Sequence, residues 1–214
     1  KRDQLFRYKI SISNINNKYG KSLDKNTYLI ELLKKMSDAH ESAENDLTLF
    51  EKDITNPENL VDAANNLTRV STRRFLNLKN PIKIINKIIE NNELFELNKE
   101  LICLRSKMIA FGLGTARIHF RLNNQHVVSA LKSTFGITEH TSDKRTLLLR
   151  ASKLTKNVKV QSVNFASLAL EKSTAHEKMI LTAQIHKYID DETPIRLLIA
   201  ECEDSLTPMG MLYL

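Results

Sequence analysis

The chain has no tryptophan, two cysteines, four prolines and five glycines in 214 residues, and aromatic side chains make up only 6%. Each shortage excludes something. So few rings argue against a stacking platform for single-stranded nucleic acid, where successive bases each need an aromatic face. Cys103 and Cys202 have neither the spacing of a metal knuckle nor that of a redox pair, so they read as reduced, buried thiols. No apolar run approaches the ~18 residues of a membrane span, and no signal-peptide layout opens the chain. A cytoplasmic protein with no membrane partner is the expectation.

What is present suits a globular fold. The hydrophobic share is 42% and the charged share 27%, with enough length to bury a real core. The net charge of +7, from 32 Lys+Arg against 25 Asp+Glu, fits an anionic ligand or nucleic acid. It also accompanies an abundance of Asn, Lys and Ile that an AT-rich coding sequence would produce. Both ends read as cut: Lys1 already sits in a charged helical pattern, and "MGMLYL" carries no helix stop signal. The chain is therefore expected to be a segment of something longer.

Helical spacing dominates residues 1–110. Leu5, Phe6, Ile10, Ile12 and Ile15 predict a helix over 2–15, and Leu29, Leu32, Leu33 and Met36 predict another over 27–36. The acidic stretch "DAHESAEND" is expected to lead away from it. Asn56-Pro57 and Asn80-Pro81 each read as a helix cap followed by a proline at the first helical position. Gly20-Lys21-Ser22 lacks the upstream glycine and strand of a phosphate loop and is set aside. Lys79, Lys83 and Lys87, with Arg69, Arg73 and Arg74 upstream, read as a solvated face rather than a phosphate-binding stripe. "ELNKELICLRSKMIAFG" predicts a helix stopped near Gly112.

Residues 111–214 change character. In "FGLGTARIHFRL", Arg117, His119 and Arg121 alternate with Ile118 and Phe120, the period of a strand near 115–121 with three basic groups on one face. "NNQHVVSALKSTFG" and "SDKRTLLLRASKL" predict helices, and a further helix spans about 175–188. Ile195 to Ala200, within a strand near 195–201, is a nearly continuous apolar run that reads as buried on both faces in a parallel sheet or barrel. A last helix starts between Asp204 and Pro208. A buried strand bearing unpaired cations would cost several kcal/mol per charge, so carboxylates or an anionic ligand must meet them. Arg121, nearest the C-terminal end where such sheets bind ligands, marks an anion site suited to phosphate or carboxylate. The six histidines show no metal spacing, and only His119 and His126, flanking Arg121, form a suggestive group.

"MIAFGLGTARIHFRLNNQHVVSAL" resembles the part of phosphoenolpyruvate carboxylases in which a helix runs through Phe-Gly into an Arg-x-Asp-x-Arg-Gln strand. "SDKRTLLLRASKL" and "IRLLIAECEDSLTPMGMLYL" are similar to a later helix and a later barrel strand in the same order. The resemblance implies a mostly α fold with a few parallel strands, residues 1–110 helical and 111–214 part of a TIM-like α/β barrel, in one incomplete domain. It implies an enzyme, a lyase that joins bicarbonate to phosphoenolpyruvate with Mg²⁺, giving oxaloacetate and phosphate, as a cytoplasmic homotetramer. Arg121 would be its catalytic, substrate-binding arginine and Arg117 a second substrate contact, with His119 and Glu201 behind them. His119, Leu122 and Asn123 depart from the family's Asp, Gln and acid, and Glu201 is a candidate replacement counter-charge. The family's catalytic histidine, glycine-rich loop and Mg²⁺ carboxylates have no match, so the segment alone would be inactive. Two other classes remain open: a catalytically dead homologue serving as a structural or regulatory subunit, and a basic helical module binding nucleic acid.

Overall fold

Leu5, Tyr8, Ile12 and Ile15 recur every three or four residues, and all four are buried along one side of helix α1, Arg2–Tyr19. In the computed structural model, which describes residues 1–22, 27–53, 56–134, 186–202 and 205–211, this stripe meets the corresponding stripe of α2, Thr27–Glu51. The helix α2 runs 25 residues, well past the expected stop at Met36. Ala39 and Ala43 are buried and continue the line of Leu32 and Met36. Two small side chains at helical spacing carry the helix through the acidic stretch because they let α2 pack closely without large apolar groups.

Helices α3, Pro57–Thr68, α4, Lys79–Glu90, and α5, Phe95–Phe111, complete this part. Asn56 caps α3 as its sequence implies, accepting from the Glu58 N–H at 2.9 Å. At α4 the N-cap is Leu78 rather than Asn80, so Pro81 is the third helical residue, and Asn77 Oδ1, one residue earlier, accepts from the Lys79 N–H at 3.1 Å. Ile84, Ile85 and Ile88 of α4 and Leu97, Leu101, Leu104 and Met108 of α5 share one core with α1 and α2. The helix α5 ends at Gly112, whose φ of +52° is left-handed and favours glycine. Gly114, at φ +67°, has a second reason to lack a side chain, since a Cβ there would lie 2.9 Å from the Gln4 Cβ.

Helix α3 is tied to α2 through Arg74. The guanidinium forms an ion pair with Asp46 at 2.7 Å, with the side chains only 7% and 15% exposed. It also donates to the Asn66 carbonyl at 3.0 Å and to the Leu67 carbonyl. These belong to the last turn of α3, where orphan acceptors and the negative end of the helix dipole favour a cation. Arg73 reaches Asp38 at 3.4 Å and Glu41 at 3.6 Å. Two arginines of the basic cluster thus answer the acidic face of α2.

The chain divides into two compact units, 1–116 with 185–193, and 117–184 with 194–214. The first therefore includes a segment that sequence reading grouped with the strands. Asp190, 4% exposed, anchors that segment. Its carboxylate accepts from the N–H groups of Glu192 at 3.0 Å and Thr193 at 3.2 Å, and from the hydroxyls of Thr193 at 2.7 Å and Thr115. Burial pushes the Asp190 carboxyl up, but these hydrogen bonds to the ionised form outweigh it and hold it below the ordinary 3.8. A depressed folded value stabilises above the unfolded pKa, and that stability is lost as pH falls through the folded one. Asp190→Asn is expected to cost about 2 kcal/mol at pH 7. The gap should shrink as pH falls below about 4, where the unfolded carboxyl takes a proton first, and close once the native carboxylate, held lower, follows. Urea unfolding at both pH values checks this, and a gap that is the same at both would refute it.

The second unit holds a parallel pair, β1, His119–Asn123, and β2, Arg196–Ala200. Their register runs from His119 opposite Arg196 to Asn123 opposite Ala200. Helix α6, Asn124–Thr134, leaves β1 directly and packs against it and against α7, Leu206–Met211. Among the described residues the fold is mostly helical, with this two-stranded parallel sheet. No described helix is long and apolar enough to cross a membrane. The expected helices in 142–154 and in most of 175–188 lie outside the described residues; 186–189 are helical.

Two burial expectations are corrected. The strand β2 is not buried on both faces: Arg196, Leu198 and Ala200 are exposed, because the only described neighbour is β1. Cys103 and Cys202 are exposed rather than buried. Cys103 lies between Leu101 and Leu104 in sequence, but the 100° step of the helix turns it to the outer side of α5.

Candidate functional site

Strand alternation puts His119, Arg121 and Asn123 on one face of β1 and Phe120 and Leu122 on the other. His119 and Arg121 are exposed, while Phe120 and Leu122 are half-buried. Arg117 does not share the strand face. It is exposed in the irregular stretch before β1, because two left-handed glycines and the Thr115–Asp190 bond occupy the chain immediately upstream. The expected row of three basic groups is therefore a row of two. Nor are these cations buried, so no internal counter-charge is required of the fold. Among the described residues, neither Arg121 nor Glu201 takes part in an ion pair. Glu201 follows β2 directly, exposed, with a φ of +56° that side chains other than glycine rarely adopt. The register puts Arg121 opposite Leu198, three residues before Glu201.

The C-terminal end of β1 is a built corner. Asn123 Oδ1 accepts from the His126 N–H at 2.9 Å, and His126 Nδ1 accepts from the Asn123 N–H at 3.4 Å. This is a reciprocal capping box, with imidazole in the place more often taken by Glu or Gln. Thr207 Oγ1, buried at the start of α7, donates to Asn124 Oδ1 at 2.8 Å. The strand that carries Arg121 thus runs into a helix whose first turn is held from two sides. Sequence reading paired His126 with His119 around Arg121 and missed Asn123 as its partner; the signal was Asn-x-x-His ahead of an apolar helical run.

Other candidates have structural partners. Lys79 pairs with Glu192 at 3.1 Å, and Lys87 lies 5.8 Å from the Tyr28 ring centre, as a solvated face would have it. His40 stacks at 5.3 Å on Phe6 and reaches Glu44 at 4.0 Å. His186 is buried. His140 and His176 lie outside the described residues. Among the described residues no group of three or more His, Cys, Asp or Glu is placed to hold a metal ion. No family model, no curated protein and no solved structure matches this chain.

Proposed function

We propose that this chain is a segment of a cytoplasmic phosphoenolpyruvate carboxylase, two neighbouring strands of its α/β barrel with the helices that precede them. The supporting observation is the exposed Arg121 in parallel register with β2; it is the middle residue of β1 rather than its last, two residues short of the C-terminal end at which α/β sheets bind anions. An exposed guanidinium there offers two parallel N–H donors to a phosphate or carboxylate. In the reaction, negative charge moves with the transferred phosphoryl group and then gathers on an enolate oxygen. A fixed cation stabilises both. Arg117, outside the strand, is the more loosely placed second contact. Mg²⁺, bicarbonate and the tetrameric assembly enter through the family resemblance, and the metal ligands would lie elsewhere in the intact protein.

The test is oxaloacetate formation from phosphoenolpyruvate, bicarbonate and Mg²⁺ by the intact protein. Activity is expected there, and none from residues 1–214 alone. An intact protein that binds phosphoenolpyruvate without turnover would replace this reading with a catalytically dead homologue. Salt-sensitive binding of random-sequence DNA without phosphoenolpyruvate binding would replace it with a nucleic-acid module.

A further inference from the structure

We infer that Asn123 and His126 are positioning residues for Arg121, and that the imidazole is there because it closes the capping box without bringing a negative charge. The inference rests on the anion-site reading of Arg121. Asn123 follows Arg121 by two residues on the same strand face. Its N–H and its side chain are both engaged by His126, at 3.4 and 2.9 Å. The Thr207–Asn124 bond at 2.8 Å holds the next residue from α7. The backbone leaving Arg121 is thereby held at two consecutive residues, Asn123 and Asn124, which fixes where the Arg121 side chain departs from the strand. Arg121 stands mid-strand on an exposed face, two residues before this corner, so the corner sets the course of the strand that carries it, and small misplacements of a reacting or binding group cost large factors.

The choice of residue carries the second half of the argument. A capping box needs an acceptor three residues into the sequence after the cap. Glutamate would serve, but its charge would stand at the corner where an anion is to bind and would offset Arg121. An imidazole accepting through Nδ1 brings no negative charge. Glutamine would do the same.

The experiment measures phosphoenolpyruvate binding by calorimetry on the intact protein carrying His126→Ala, His126→Gln, His126→Glu or Arg121→Ala, with thermal unfolding of each. His126→Gln should bind within about twofold of wild type, and His126→Ala about tenfold more weakly. His126→Glu should unfold like His126→Gln yet bind at least roughly tenfold more weakly. If His126→Ala binds like wild type while Arg121→Ala does not, the positioning role is overturned and the site survives. If His126→Glu binds as well as His126→Gln, the charge argument is overturned; this comparison stands even should His126→Ala fail to fold. If Arg121→Ala itself binds normally, the anion site falls and takes this inference with it.

Discussion

Arg121→Ala in the intact protein is expected to lower phosphoenolpyruvate turnover about 10²–10³-fold, the usual loss when a group that stabilises developing charge is removed. The loss should appear in kcat as well as in KM, because the guanidinium would meet more charge in the transition state than in the bound substrate. Arg121→Lys should restore only part of it, since an ammonium is a point charge and cannot make the paired contact. Arg117→Ala should matter much less, because that side chain lies before the strand begins. Steady-state kinetics on the three variants checks the order. Near-normal turnover for Arg121→Ala would remove the residue from the site.

Arg74→Ala should destabilise the first unit by about 3–5 kcal/mol, the range for breaking one side of a buried ion pair. It leaves Asp46 without its cation and exposes the last-turn carbonyls of α3 to no donor. Asn66 Nδ2 would still donate to Asp46 at 2.7 Å, which places the loss toward the lower end. Arg74→Lys should recover less than half, as three donors on one nitrogen cannot reach Asp46 and several carbonyls together. Urea unfolding decides it, and a loss under about 1 kcal/mol would show the pair to behave as a surface one.

Large apolar side chains and punctuation residues made much of the fold legible. The stripe of α5, the Asn56 cap and the stop at Gly112 follow from side chains with strong local preferences, whereas in α1 Phe6 and Ile10 are exposed and Tyr8 joins Leu5, Ile12 and Ile15 on the buried side. The alternation of "RIHFR" pointed to a strand near 115–121, but β1 is His119–Asn123, shifted toward the C-terminus and without Arg117. The continuation of α2 was not legible, because Ala39 and Ala43 carry little hydropathy and their worth lies in close packing. Arg74 read as one of a basic group, since its partners stand 28 residues away at Asp46 and eight away at Asn66. The burial of the two strands was overestimated because an apolar run reports what a side chain would prefer, whereas exposure depends on which neighbours are there. At the site, the residue type at 121 was readable, but the corner after it depends on a hydrogen bond that His126 Nδ1 accepts from the Asn123 N–H, signalled only by the Asn-x-x-His spacing.

The two outward-facing cysteines have a practical consequence. Cys103 belongs to the first unit and Cys202 to the second, so maleimide chemistry would tag each unit once with every other residue native. A pair of spin labels attached there would measure the spacing of the two units, and would record whether it alters when phosphoenolpyruvate is added.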